Sequence, residues 1–143
     1  YLMALEQERT SRDYLFGRLL AIAEDIESYS LYAAGEKARE TSAARLMQRF
    51  ADRPASTWRT IELSLRPYIT RLRATRPGPL HKKESLLDEV VALFNPQDFL
   101  TDTPLSGEFL LGYHCQRQAL RPPKEEREDT SEAVHPTTSG EPA

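Results

Sequence analysis

The sequence predicts an all-α fold: a compact bundle of about five helices over residues 1–122, followed by a disordered acidic tail over 123–143. Three observations carry that prediction. Apolar residues return every three or four positions in five stretches, the spacing of one helical face. Nowhere do apolar and polar residues alternate as they would in a half-buried strand. From Arg121 onward, RPPKEEREDTSEAVHPTTSGEPA is rich in Pro, Ser, Thr and Glu and has almost nothing to bury.

In the first element Thr10 or Ser11 is the N-cap, and Asp13 falls in the first turn, where its charge suits the helix dipole. Leu15, Leu19, Ile22, Ile26 and Tyr29 then share one face, widened by Phe16, Leu20 and Ala23. Gly17 costs roughly 1 kcal/mol of helix propensity. It marks either a close helix contact or a tolerated glycine. SLYAAGE is a connection with Gly35 as terminator, and residues 36–53 form a second helix with Ala43, Leu46, Met47 and Phe50 inward.

Residues 54–76, PASTWRTIELSLRPYITRLRATR, are expected to be the element around which the rest is organised. The Arg53-Pro54 step ends the second helix and opens this one. Trp58, Ile61, Leu65, Tyr68, Ile69 and Leu72 form its apolar stripe; Arg59, Glu62, Arg66, Thr70 and Arg73 form a polar one, with Arg71 and Arg76 beside it. Pro67 should kink it near Leu63. RPGPLHKK reads as a break, after which Ser85 caps a fourth helix, residues 85–94, with Leu86, Leu87, Val90, Val91 and Phe94 buried and Asp88 and Glu89 outward. NPQDFLTDTP is a loop, and residues 105–120 form a fifth helix with Phe109, Gly112 and Gln116 on one face.

The net charge of −3 conceals a strong asymmetry. Residues 1–44, 84–122 and 123–143 carry −3, −4 and −4, whereas residues 45–83 hold ten basic groups against Asp52 and Glu62, giving +8. A single cysteine, Cys115, forms no internal disulfide and favours a reducing compartment. With no secretory signal and no bilayer-spanning apolar run, a cytoplasmic location is expected. The chain starts at Tyr1 rather than Met, so its true start is expected upstream, or it was cut from something longer.

Nothing in the sequence assembles a catalytic constellation. His81, His114 and His135 are scattered, and His114 and Cys115, as neighbours, point about 100° apart on a helix. Gly78 between two prolines is a turn rather than a phosphate loop. No enzyme, metal site or cofactor is expected. What stands out is the basic middle, mostly arginine, whose planar fork donates two hydrogen bonds to one phosphate. Arg45, Arg49, Arg53, Arg59, Arg66, Arg73, Arg76, Lys82 and Lys83 are the candidate phosphate contacts. Trp58 and Tyr68 lie on the apolar stripe and belong to the core rather than to base stacking.

Three stretches carry a resemblance: YLFGRLLAIAEDIE (Tyr14 to Glu27), RPASTWRTIELSLRPYITRLR (Arg53 to Arg73) and FLLGYHCQRQAL (Phe109 to Leu120). In order and spacing they resemble the C-terminal part of the large subunit of type I-C CRISPR Cascade. That segment is also made separately in the family, as the small subunit. His114 and Cys115 stand where the family usually has Tyr-His, and RFADRPA is looser than the family's Tyr-Phe-type stretch. The length suits the small subunit, the alternative being the large subunit's own C-terminal domain. The resemblance implies a non-catalytic helical bundle packed along the crRNA-bearing filament. Its partners would be the Cascade backbone and large subunits, a second copy of itself, and target DNA, mainly the displaced strand.

Overall fold

The computed structural model describes residues 4–36 and 40–121. The expected acidic tail, and with it the end of the 1–122 unit, lies outside the described residues. Within them are five α-helices: α1 (Arg12–Ala33), α2 (Ser42–Asp52), α3 (Pro54–Thr75), α4 (Pro77–Val91) and α5 (Glu108–Leu120), with a short 3-10 turn at Pro96–Phe99. No strand occurs among the described residues. The fold is the expected all-α bundle.

Its centre is not α3 but α1, which packs against each of the other four helices. Ten consecutive residues, Tyr14 to Ala23, are buried. A helix enclosed on every side needs no polar face, so periodicity alone ranks it no higher than its neighbours. All five phenylalanines meet around this helix. The Phe16 ring lies 5.7 Å from Phe50, 4.8 Å from Phe94 and 5.6 Å from Phe99, edge-on in each case, and Phe50 lies 5.6 Å from Phe109.

α5 runs parallel to α1, since Gly112 meets Tyr14, Phe109 and Tyr113 meet Gly17, and Gln116 meets Arg18. Two glycines set the spacing. A β-carbon on Gly17 would sit 2.1 Å from the Phe109 carbonyl oxygen, and one on Gly112 would sit 2.1 Å from that of Tyr14. Neither position has room for a side chain, which makes the close-contact reading of Gly17 the correct one.

The helix ends follow local chemistry. The Ser11 hydroxyl accepts from the Tyr14 N–H at 3.4 Å, and the Thr41 hydroxyl from the Ala44 N–H at 3.1 Å. α1 therefore starts where expected, but α2 starts at Ser42 rather than at residue 36. α1 ends in a Schellman turn: Gly35, at φ +81, donates to Tyr32, and Glu36 donates to Leu31 at 2.7 Å. The buried Glu27 carboxylate holds the start of α2 through the Ser42 N–H at 2.9 Å.

Both sharp corners of the bundle are Arg-Pro steps. Arg53 and Arg76 adopt nearly the same non-helical conformation, φ −139 and −141 with ψ 74 and 61, because a residue before proline is pushed out of the helical region. The expected break at RPGPLHKK is therefore the first two turns of α4. Pro77 and Pro79 occupy positions whose N–H groups have no helical partner, so the missing donors cost nothing there. Ser85 lies inside α4 and caps nothing, and α4 ends at Val91. Val90 and Phe94 are buried as expected; Leu86 and Leu87 are only half-buried, and Val91 is exposed. α3 continues through Pro67.

α3 has no cap of its own, and the loop before α5 supplies one. The Asp102 carboxylate accepts from the Ser56 N–H at 2.9 Å and from the Ser56 hydroxyl, which holds its pKa below the ordinary value. Stability from a depressed carboxyl is present above the unfolded pKa, near 4, and is lost as pH falls through the lower folded value. Asp102→Ala is expected to destabilise the fold by about 1 kcal/mol at pH 7, the usual loss for such a cap. Urea unfolding should show that gap narrowing as pH falls from about 4, where the carboxyl of the unfolded chain takes up its proton, toward the lower folded value.

Candidate nucleic-acid interface

The basic residues sit on α2, α3 and the first half of α4, and the two Arg-Pro corners turn the chain among them. Eight of the nine candidates are exposed; Lys83 is half-buried. They do not all play one part.

Arg45 and Arg49, one turn apart on α2, line a groove with Leu46, Pro104 and Leu105. The Leu105 N–H donates to the Ala51 carbonyl at 2.7 Å, which ties the far wall of that groove to α2. Arg59 and Arg66 line a second groove between α3 and α4, floored by Leu63, Leu65, Ile69 and Leu87. Arg59 also donates to the Phe99 carbonyl at 3.3 Å. Glu62 shares this groove; burial raises its carboxyl pKa, against the opposing pull of Arg66. Arg53 and Arg76 occupy the two corners, and Lys82 projects from α4.

Two candidates are engaged within the chain. Arg73 pairs with Glu84 at 3.1 Å, and Lys83 pairs with Asp25 at 2.5 Å while its ammonium lies 4.9 Å over the Tyr29 ring. Among the described residues, the other seven make no ion pair. Exposed pairs contribute little and exchange readily, so Arg73 is still available to a stronger anion. Lys83, on a half-buried carboxylate, is less so.

The stripe expected on α3 is present: Arg59, Glu62, Arg66, Thr70 and Arg73 all face solvent. Arg71 does not belong to it. Its side chain folds over Tyr68, with the guanidinium carbon 5.9 Å from the ring centroid, and its Nη1 is buried without a hydrogen-bond partner. Trp58 and Tyr68 are buried, so neither is available to stack on a base.

One cation escaped the sequence reading altogether. Arg18 is only 2% exposed, and its Nε donates to Gln116 at 2.7 Å; burial lowers its pKa. It braces α1 against α5 and is out of reach of any phosphate. No sequence signal separated it from the surface arginines, because its position on α1 is buried only once α5 has docked.

Cys115 is buried and His114 beside it is exposed, so the two do not face one another. Among the described residues, no three His, Cys, Asp or Glu side chains gather as a metal-binding group, and no helix is long and apolar enough to cross a membrane.

Residues 1–121 match the family model described as CRISPR-associated protein (Cas_Csd1). The chain is a member of the Csd1 family. The comparison with curated proteins found no match. Family membership makes this a CRISPR-associated protein, and the match spans both grooves and both basic corners. In this Csd1-family chain the arginines are carried by a rigid frame, because α2 and α3 pack on α1 through Phe50, Trp58, Ile61 and Leu65.

Proposed function

We propose that this protein is the non-catalytic small subunit of a type I-C Cascade, which packs along the crRNA-bearing backbone filament and steadies the open target through its arginines. The observation that carries the reading is a set of exposed cations, Arg45, Arg49, Arg53, Arg59, Arg66, Arg76 and Lys82, that make no ion pair among the described residues, in a Csd1-family chain. Exchanging a DNA duplex for an RNA–DNA duplex is nearly balanced in free energy, so contacts to a strand backbone tip it. Guanidinium groups that read no bases do this for any target sequence. The displaced strand is the natural occupant, since it has lost its base-pairing partner and leaves a single backbone for a positively charged surface to track. The protein acts in the cytoplasm and needs no cofactor for this task.

A second reading is favoured by one feature. Leu63 is 59% exposed between Arg59 and Arg66, above half-buried Ile69 and Leu87. An apolar floor with arginine walls also suits an acidic face of a neighbouring subunit. In that case the chain is architectural, or serves as the large subunit's own C-terminal domain in the same place. Charge reversal at Arg59 and Arg66 separates the two. If the arginines hold DNA, the variant complex assembles normally on size-exclusion chromatography and forms R-loops poorly. If they hold protein, the complex fails to assemble before any DNA is added.

A further inference from the structure

The groove between α3 and α4 brings three kinds of group together. Arg59 and Arg66 stand at its walls, Leu63, Leu65, Ile69 and Leu87 form its floor, and Glu62 lines it with them. Arg59, Glu62, Leu63 and Arg66 are spaced by three, one and three positions, which puts them on one face of α3. The two arginines are therefore about 10 Å apart along the helix, with Glu62 and Leu63 between them. Arg59 is steadied by its bond to the Phe99 carbonyl at 3.3 Å, which uses one of the five N–H donors of a guanidinium. The groove measures about 430 Å³, within the range of small-ligand sites.

Neither Glu62 nor Leu63 is accounted for by packing or by a grip on phosphate. Leu63 is 59% exposed, an apolar side chain that the core does not use. Glu62 is partly desolvated, which raises its carboxyl pKa, yet among the described residues it accepts no hydrogen bond and forms no ion pair. Beside two phosphate sites its charge would only repel a backbone. A ligand that satisfies the whole groove carries an anion for the arginines, an apolar face for Leu63 and an N–H donor for Glu62. A nucleotide with an unpaired base carries all three. Every base has an N–H on its Watson–Crick edge: N3 of thymine, N4 of cytosine, N6 of adenine, N1 and N2 of guanine. In a duplex those donors are already taken. An acidic protein side chain would also suit the arginines, but it sets a second carboxylate against Glu62.

Resting on the reading of Arg59 and Arg66 as phosphate contacts, we infer that this groove seats one unpaired base of the bound strand, with its face on Leu63, its Watson–Crick edge donating to Glu62 and its flanking phosphates on the two arginines. Apolar side chains and an edge-on acceptor are the means by which a base outside a duplex is held. The arginines alone would hold a duplex as well as a single strand. Glu62 and Leu63 contribute only once pairing is broken, and they do so for all four bases. The site thus selects the opened state of a target without selecting its sequence.

Binding of the full chain to a short oligothymidine and to an abasic phosphodiester oligomer of the same length tests the inference. Both carry the same phosphates, so their affinity ratio is insensitive to net charge. The wild-type chain should prefer oligothymidine roughly fivefold, the low end of what one base contact is worth. Leu63→Ala and Glu62→Ala should each bring the ratio close to one, and methylation of thymine N3, which removes its single N–H, should do the same to the wild-type chain. Equal affinity of the wild-type chain for the two oligomers overturns the inference and leaves the phosphate contacts standing. Binding of neither oligomer overturns the phosphate contacts and the inference with them. A preference that survives in both variants, with Leu63→Ala instead preventing assembly of the complex, assigns the groove to a neighbouring protein and also overturns it.

Discussion

Replacing Gly17 with alanine is expected to cost about 3 kcal/mol of stability, the upper end of what overpacking a core usually costs. One methyl group is a small change, but its position leaves it nowhere to go. The added β-carbon would lie 2.1 Å from the Phe109 carbonyl oxygen and 2.6 Å from the Tyr113 nitrogen, both backbone atoms that no rotamer change can move. α1 and α5 would have to separate by more than an ångström. That shift stretches the Arg18–Gln116 hydrogen bond and the 2.7 Å bond from the Tyr113 hydroxyl to Glu24. Alanine is the better helix former by roughly 1 kcal/mol in an exposed helix, so the sign of the effect is diagnostic. Gly112→Ala meets the Tyr14 carbonyl in the same way and should behave alike. Because both mutations separate the same helix pair, the double variant should lose less than the sum of the two losses. Denaturant midpoints at constant m-value provide the measurement.

Charge reversal of Arg59 and Arg66 is expected to weaken displaced-strand binding by at least roughly 25-fold near 0.1 M salt. The figure follows from counterion release: each phosphate contact to a single strand contributes about 0.7 to the salt slope, or roughly fivefold at 0.1 M relative to 1 M. Two contacts multiply, and the new glutamates add repulsion. Stability should change little, since both side chains are exposed and neither holds an ion pair among the described residues. The same reversal at Arg73 should do less. Its partner Glu84 is 3.1 Å away, and the contribution of the arginine to binding is reduced by what it must give up.

Much of this architecture was legible from local chemistry. Ser11, Gly35 and the Arg53-Pro54 step mark helix ends through side-chain capping, positive φ and the proline ring, all of which act within a few residues. The apolar stripe of α3 was legible for the same reason, with Trp58, Ile61, Leu65, Tyr68 and Leu72 all buried. What stayed hidden depends on contacts distant in sequence. Pro77 and Pro79 look like a break until Arg76 is seen to form the same corner as Arg53, whereupon both fall in the tolerant first turn of α4. The central place of α1 depends on α5 docking through Gly17 and Gly112, ninety-five positions apart. Asp102 caps a helix that starts 48 residues before it.

The basic surface was legible as a composition and not as a shape. Counting charge finds residues 45–83 but does not separate Arg66, which faces a groove, from Arg71, which lies over Tyr68. Nor does it show that Glu84 and Asp25 claim Arg73 and Lys83. Those distinctions depend on which helix face meets a neighbour.

The salt dependence of R-loop stability in the assembled complex reaches the central claim most directly. Complexes carrying R45Q, R49Q, R59Q and R66Q should give a line of log affinity against log salt that is shallower by about 2.8 per copy of the subunit, four contacts at about 0.7 each. Parallel lines for wild-type and variant complexes would contradict the account, because arginines that grip a phosphate backbone must release counterions when they do so.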